Sequence, residues 1–184
     1  ADSTAEDQFK RYEFSSDGIS PYSVPWTEHT TFIATSYEHD EYGSTNEEPT
    51  MKGKMMEKRA QKLKTFVEQE FNSDFYGYEI INPDAEIFYI TMGINRYALE
   101  QHIKGKAEMG LVVIKSLSPF DPRLKAFLDE YEKKIKRLIF VEMNQSGILE
   151  DLVRKECELY GEWNKKIEHF RKITLYPFFE EEII

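Results

Sequence analysis

The residues of this 184-residue sequence best suited to chemistry form one continuous acidic segment, Glu38-His39-Asp40-Glu41. A histidine between carboxylates is typical of an acid–base pair or of part of a metal site. Adjacent residues rarely converge on one ion, however, and the nearest other histidine, His29, lies ten positions away in loop sequence. Because four ionisable side chains are costly to bury without partners, we favour a network of ion pairs and hydrogen bonds, at an interface or at a junction between two regions.

A second group of candidates follows short apolar segments that are typical of buried strands. Gly93 ends one such segment, and Asn144, Ser146 and Gly147 follow another. Loops at the carboxyl ends of strands in an open α/β sheet tend to hold ligands, because glycine lets the backbone approach and helix N-termini attract anions. We favour a simpler interpretation, in which Asn144 or Ser146 caps the helix that begins near Gly147. The sequence contains neither G-x-G-x-x-G nor a lysine-containing phosphate loop, so a nucleotide site has little support.

The single cysteine, Cys157, is interpreted as a packed thiol on a helix from about residue 146 to residue 160. No histidine or asparagine at a recognisable spacing supports a nucleophile. One cysteine cannot form an internal disulfide, and it cannot hold an iron–sulfur cluster that needs four thiolates. His102 and His169 lie within helical patterns and are expected at the surface or half-buried.

The elements that position these candidates are predicted by a change in pattern near residue 51. Residues 1–50 are rich in Ser, Thr, Pro, Gly and acids, which predicts turns and extended chain lying over another surface. From Met51 a helix is predicted, and its cations indicate a solvated face or, as the second choice, a docking site for an acidic protein; they are Lys52, Lys54, Lys58, Arg59, Lys62 and Lys64.

The remainder of the chain alternates apolar strands with amphipathic helices. Strands are predicted at 86–93, 110–115 and 137–142, with a fourth at 172–176. Strands separated by helices of this length imply right-handed crossovers. The predicted fold class is therefore α/β, an open, mostly parallel sheet with helices on both faces, preceded by a loop-rich N-terminal segment.

Composition excludes two classes of partner. The formal net charge of -10 repels a phosphate backbone, so no nucleic acid is expected. The sequence has no run of eighteen apolar residues, so no membrane-spanning helix is expected. The first residues are acidic and polar, unlike a signal peptide, and we expect a soluble, cytoplasmic protein. All six methionines lie at Met51 or later, which suggests a processed or truncated product.

The order of these elements resembles the C-terminal part of the alpha subunit of 2-oxoacid:ferredoxin oxidoreductases. The matching segments, in chain order, are Ser23-Val24-Pro25 with Thr27, Glu38-His39-Asp40-Glu41-Tyr42-Gly43, Met56-Glu57-Lys58-Arg59, Ser118-Pro119-Phe120 and Val141-Glu142-Met143-Asn144-Gln145-Ser146-Gly147. Two positions depart from the family pattern. Trp26 stands where the family commonly has glycine, and Met92-Gly93 stands where a Gly-Ser pair is frequent.

This resemblance implies that residues 1–50 are the tail of a thiamine-diphosphate pyrimidine-binding-type domain with a linker, and that residues 51–184 form a transketolase C-terminal-like domain. Enzymes of the family use thiamine diphosphate, magnesium and iron–sulfur clusters. They convert a 2-oxoacid, coenzyme A and oxidised ferredoxin into acyl-CoA, carbon dioxide and reduced ferredoxin. The implied partners are the remainder of the alpha subunit, the beta subunit and ferredoxin, in a heteromer whose clusters lie on a partner subunit.

The family's 2-oxoacid-binding motif lies N-terminal to the region that this chain resembles. The resemblance therefore assigns no catalytic, cofactor-binding or metal-binding residue to this chain, which is expected to be inactive alone and to serve as a scaffold at a subunit interface. The alternative from another functional class is a stand-alone α/β module without catalysis. Such a module would bind an acidic protein through its lysine-rich helix, or a small ligand at the loops after Gly93 and Ser118.

Overall fold

The computed structural model describes residues 8–71 and 75–183 of the chain. The chain divides into two compact units, Ala1–Glu70 and Phe71–Ile184. The described part of the first, here called the N-terminal unit, consists of turns and irregular chain from residue 8 onward, followed by helix α1 (Pro49–Glu70). Proline is favoured at the start of a helix because its missing N–H would have no intrahelical partner there. The predicted assignment of residues 1–50 and 51–184 to two domain types stays a prediction.

The second, or C-terminal, unit is built from strands and helices that alternate along the chain. Its elements are β1 (Tyr78–Ile81), β2 (Ile87–Met92), α2 (Asn95–Ile103), β3 (Met109–Ile114), α3 (Arg123–Tyr131), β4 (Arg137–Glu142), α4 (Ile148–Glu156) and β5 (Ile167–Arg171). The strands form one sheet in the order β1-β3-β2-β4-β5. Strands β3, β2, β4 and β5 run parallel to one another, and the edge strand β1 is antiparallel to β3. The predicted open, mostly parallel α/β fold is confirmed.

The helices cover both faces of the sheet, because alternate strand residues point to opposite sides. On one face Phe88 and Ile90 of β2 pack with residues of α3 and α4, such as Leu124 and Val153. On the other face lie the residues shared with α2 and the C-terminal segment, namely Tyr89, Leu99, Ile103, Leu111, Val113, Ile139, Val141, Phe178 and Ile183. Each large aliphatic side chain buried in this way contributes roughly 1.5–3 kcal/mol to folding.

Two predicted elements differ in the structure. The fourth parallel strand is β5 at 167–171, and the predicted strand at 172–176 is wrong. Helix α4 ends at Glu156, so Cys157 follows the helix instead of lying within it. The left-handed backbone of Glu158, at φ 55°, accompanies this early end. None of the described helices is long and apolar enough to cross a membrane.

Candidate functional site

The carboxyl ends of β2 and β4 form the crevice in which the topology of the sheet favours a ligand. These strands are neighbours, but the chain leaves β2 towards α2 on one face and leaves β4 towards α4 on the other. The two following strands, β3 and β5, then extend the sheet in opposite directions. Ligands of open α/β sheets bind where the connections diverge in this way.

A pocket of about 390 Å³ lies at this position. Its walls are mainly apolar and come from three strand ends and the residues that follow them: Met92 and Ile94 at the end of β2, Leu117 after β3, and Met143 and Ile148 from the end of β4 to the start of α4. The volume lies within the range of small-molecule sites. We call this pocket the switch-point crevice.

Among the predicted loop residues, Gly93 and Asn144 line the switch-point crevice, whereas Ser146 and Gly147 do not. Gly93 has φ +65°, and a Cβ placed there would meet no atom within 4 Å. Glycine is therefore favoured at position 93 by the left-handed backbone conformation and not by the close approach of a neighbouring atom. A role of Gly93 in ligand contact stays a prediction.

The N-terminus of α4 is already occupied by side chains of the protein. Asn144 Oδ1 accepts the N–H of Gly147 at 2.6 Å and that of Ile148 at 3.3 Å. The Glu142 carboxylate accepts hydrogen bonds from the next two N–H groups, those of Leu149 at 2.7 Å and Glu150 at 3.0 Å. All four N–H groups that a helix leaves unpaired at this end have acceptors, so an anionic ligand would have to displace Glu142.

This geometry shows that Asn144 caps α4, as the sequence suggested, and that the main acceptor was missed. Glu142 is 3% exposed and ends β4, and Asn144 Nδ2 also donates to it at 2.7 Å. Ser146 is exposed and makes no hydrogen bond with the described residues. The available signal was an acidic residue at the end of an apolar strand, a few positions before a helix.

A side chain at position 147 would meet the guanidinium group of Arg171, which packs against Gly147. The backbone of Gly147 has φ +75°, and a Cβ at this position would overlap Arg171. Arg171 Nη2 donates to the buried carboxylate of Glu150 at 2.7 Å, and Arg154 donates to the same carboxylate at 3.2 Å. His169 Nδ1 lies 3.8 Å from it. Gly147 therefore makes room for an ion-pair network that joins α4 to β5.

One polar atom beside the switch-point crevice lacks a partner. Asn95 lines the crevice and is 5% exposed, and its Oδ1 is buried without a hydrogen bond to the described residues. An unpaired buried acceptor costs about 1–3 kcal/mol. This atom and the apolar walls suit an apolar group that carries a hydrogen-bond donor.

Two side chains of the C-terminal unit that could be reactive, Cys157 and His102, are buried. Cys157 is 1% exposed, and burial raises the pKa of its thiol to about 12. His102 lies 3.2 Å from the hydroxyl of Tyr89, and burial, followed by the charge of Lys106, lowers its pKa. The predicted packed thiol is thus confirmed, and the described residues of the crevice offer binding surface but no activated nucleophile.

The acidic segment lies in the N-terminal unit, where its carboxylates have internal partners. Glu38 binds Arg59 of α1 through both carboxylate oxygens, at 2.7 and 2.9 Å. This hydrogen-bonded ion pair lowers the pKa of Glu38 to about 2. Glu41 accepts the N–H of Phe14 at 3.0 Å and lies 3.7 Å from Lys10. Both carboxylates therefore fix the loop-rich chain within its own unit.

Asp40 and His39 are used in the same local way. Asp40 Oδ1 accepts the N–H groups of Tyr42 and Ser44, each at 3.0 Å, and so closes a turn. The ring of His39 lies 3.9 Å from that of Tyr12, measured between centroids. The acidic segment is a network of hydrogen bonds and ion pairs, and its role at an interface or junction stays a prediction.

Comparisons with known proteins show what the chain is similar to. No protein-family model matches it. It is 29% identical over 158 residues to the 2-oxoacid:ferredoxin oxidoreductase 2, subunit alpha, of Aeropyrum pernix, an alignment that covers 82% of this chain and 23% of that protein. It is 33% identical over 124 residues to the 2-oxoacid:ferredoxin oxidoreductase subunit alpha of Saccharolobus solfataricus, covering 64% of this chain and 19% of that protein.

A solved structure extends the likeness to the fold. The 2-oxoglutarate:ferredoxin oxidoreductase of Magnetococcus marinus, solved with 2-oxoglutarate, coenzyme A and succinyl-CoA bound, matches with a TM-score of 0.68 and 26% identity. The match covers 96% of this chain and 30% of that chain. The chain is similar to part of 2-oxoacid:ferredoxin oxidoreductase alpha subunits. The resemblance found in the sequence is confirmed, and the chain spans less than a quarter of the length of these curated alpha subunits.

Proposed function

We propose that this chain is the C-terminal portion of the alpha subunit of a 2-oxoacid:ferredoxin oxidoreductase. The parent enzyme would convert a 2-oxoacid, coenzyme A and oxidised ferredoxin into acyl-CoA, carbon dioxide and reduced ferredoxin. The observation that supports this most is the likeness to the M. marinus enzyme, which extends over 96% of the chain. Residues 1–50 would be the tail of a pyrimidine-binding-type domain, and residues 51–184 a transketolase C-terminal-like domain.

Within the parent enzyme the chain would act as a scaffold that holds subunits together. Apolar side chains at its surface support this role: Trp26 is 99% exposed, Leu175 is 96% exposed and Tyr22 is 79% exposed. Contiguous exposed apolar groups mark interaction sites, and Tyr22 and Trp26 lie four positions apart with the exposed Val24 between them. Their proposed occupants are the remainder of the alpha subunit and the beta subunit, with ferredoxin as the electron acceptor of the whole complex.

The cofactors of the parent enzyme would be thiamine diphosphate, magnesium and iron–sulfur clusters. The described residues include no group of three His, Cys, Asp or Glu side chains arranged to hold a metal ion. The buried Cys157 thiol, with its pKa of about 12, is also unsuited to ligate iron. These residues do not fit a magnesium ion or a cluster, so such groups are proposed for other parts of the complex. A cytoplasmic location belongs to the same proposal.

The proposal is tested by reconstitution. The chain alone, the complete alpha subunit with the beta subunit, and the same complex lacking this portion are each mixed with 2-oxoacid, coenzyme A and oxidised ferredoxin. Ferredoxin reduction is followed by absorbance. Of the three preparations, we expect turnover only from the complete complex. Turnover by the isolated chain, or full activity of the complex without it, would contradict the proposal.

The switch-point crevice supports a second candidate function, binding of a small apolar ligand without catalysis. Ile94, at the mouth of the crevice, is 60% exposed, whereas Tyr97 is 66% exposed but does not line it. A ligand of this kind should shift the amide resonances of Gly93 and Asn144, which line the crevice, in the wild type and in Tyr97→Glu, and fail to do so in Ile94→Glu. Equal binding by both variants would place the ligand elsewhere.

A further inference from the structure

The N-terminal unit contains a second pocket, of about 350 Å³, between loop residues and one face of α1. Four cationic side chains line it, namely Arg11, Lys58, Arg59 and Lys62. None of the described residues that line this pocket is an aspartate or a glutamate. This concentration of positive charge contrasts with the net charge of -10 of the whole chain. We call it the basic pocket.

Most of the positive charge in the basic pocket has no carboxylate in contact with it. Lys58 Nζ donates to the carbonyl oxygen of Tyr12 at 2.6 Å, and Arg11 Nη1 donates to that of Pro21 at 3.1 Å. Both acceptors are uncharged. Lys62 makes no hydrogen bond or ion pair with the described residues. These cations therefore retain most of their capacity to bind an anion, since an ammonium has three N–H donors and a guanidinium has five.

Three carboxylates nearby, those of Glu38, Asp17 and Glu41, already have partners. Glu38 is bound to Arg59, at 2.7 Å, and so compensates only that cation. Asp17 accepts the N–H of Ile19 at 2.9 Å. Glu41 raises the pKa of Lys58, but burial and the charges of Arg59 and Arg11 have the larger effect, and the pKa is lowered overall. Burial is the largest of these effects, and the charges of Arg59 and Arg11 act in the same direction.

The positions of the cations follow from the helix and the loop packed on it. Lys58 and Lys62 are one turn apart on α1, so their side chains leave the same face of the helix. Gly18, at φ +75°, brings the loop against the backbone of this turn, where a Cβ would overlap Lys62 N. Arg11 then closes the pocket from the loop side. The arrangement is built by packing and is not a random group of surface lysines.

We propose that the basic pocket binds the phosphate dianion of a small molecule. Arginine and lysine together match the charge and the several acceptor oxygens of a phosphate better than those of a single carboxylate. The volume suits a small ligand and not a folded partner. The rings of Tyr12 and Tyr22 also line the pocket, and they provide a surface for the organic part of a phosphate ester.

The test uses the full chain and two probes, inorganic phosphate and phenyl phosphate, at constant ionic strength. Amide resonances are followed by NMR. We expect saturable shifts at Gly18 and Ser20, which line the basic pocket, and none at Gly105 in the other unit. The probe that binds more tightly identifies the source of the phosphate, free ion or ester.

Variants decide whether the pocket itself binds. Lys62→Gln and, independently, Arg11→Gln should each weaken binding about tenfold, the effect of one lost charge-assisted hydrogen bond. Lys64→Gln is the matched control, because Lys64 is an exposed cation of the same helix that does not line the pocket. Absence of saturable shifts with both probes would overturn the proposal. So would an equal loss of affinity in Lys64→Gln, which would indicate a diffuse effect of charge.

Discussion

The carboxylate of Glu142 and the backbone N–H of Leu149 are joined by a hydrogen bond of 2.7 Å, which connects the end of β4 to the first turn of α4. A second bond of 3.0 Å, from the N–H of Glu150, holds the other oxygen. A negative charge at this position also interacts favourably with the helix dipole. One buried side chain thus caps the helix and shapes the loop that borders the switch-point crevice.

Replacing Glu142 with glutamine should lower the free energy of unfolding by about 2 kcal/mol. The variant removes the charge and turns an NH₂ group towards N–H donors that the carboxylate oxygens accepted. Urea unfolding followed by circular dichroism measures the change. Glu130→Gln is the control, since Glu130 is exposed and no ion pair or hydrogen bond of it is described. An equal loss in both variants would contradict the capping role.

Gly147→Ala should destabilise the protein more than Gly105→Ala, although both glycines have nearly the same backbone. Their φ angles are +75° and +78°, so left-handed strain, about 1–2 kcal/mol, is common to the pair. A Cβ at Gly105 meets no atom within 4 Å, whereas one at Gly147 overlaps Arg171. The extra loss at Gly147 should be about 1 kcal/mol, because the flexible Arg171 side chain can move away but in doing so weakens its bond to Glu150.

Thermal or urea unfolding of the two alanine variants measures this difference directly. An Arg171→Gln background provides the control, since it removes the guanidinium that the new Cβ would overlap. In that background the difference in stability loss between Gly147→Ala and Gly105→Ala should become smaller. An unchanged difference would show that Gly147 is required for another reason.

The central strands were predictable from sequence because β2, β3 and β4 are buried on both faces and therefore consist of continuous apolar residues. Strand β5 lies at an edge of the sheet, and its burial is only partial. An edge strand needs fewer apolar residues, so the sequence pattern favours the more β-branched segment 172–176 that follows it. The short antiparallel strand β1 was missed for the same reason.

The candidate site was predictable only where its contacts are local. Asn144 lies three residues before Gly147, so its capping role could be proposed from spacing alone. Arg171 reaches Gly147 because β4 and β5 are neighbours in the sheet, a relationship that no local pattern contains. Arg59 likewise reaches Glu38 across 21 positions of sequence. Long-range pairs of this kind require the fold before they can be recognised.

Cys157 should resist alkylation in the folded protein. The thiol is 1% exposed and its pKa of about 12 leaves almost no thiolate near neutral pH. Iodoacetamide at pH 8 should therefore modify it at a rate limited by unfolding, and mass spectrometry would measure the modified fraction. Addition of denaturant should restore ordinary reactivity. Rapid labelling without denaturant would contradict the packed position of this side chain.

The ion pair between Glu38 and Arg59 should stabilise the N-terminal unit at neutral pH and stop doing so in acid. The pKa of Glu38 falls from 4.5 to about 2 on folding, chiefly through its hydrogen bonds with Arg59. Because the folded-state pKa is the lower one, the stabilisation is complete above pH 4.5 and is lost as the pH falls towards 2. Carboxylate NMR should record the low pKa, and Arg59→Gln should move it back towards 4.5, while Lys64→Gln should not.

Trp26 should report assembly with the remainder of the proposed parent subunit. The chain has two tryptophans, of which Trp26 is 99% exposed and Trp163 is 4% exposed, so Trp163→Phe leaves an indole in contact with water. Its fluorescence should be quenched freely by acrylamide in the isolated chain. Addition of the remaining alpha and beta subunits should shift the emission to shorter wavelength and reduce quenching, because the exposed apolar surface becomes covered. The reciprocal variant, Trp26→Phe, should show neither change, since the remaining indole, that of Trp163, is already buried. If the complex forms and Trp26 stays fully quenchable, the surface around it is not the interface.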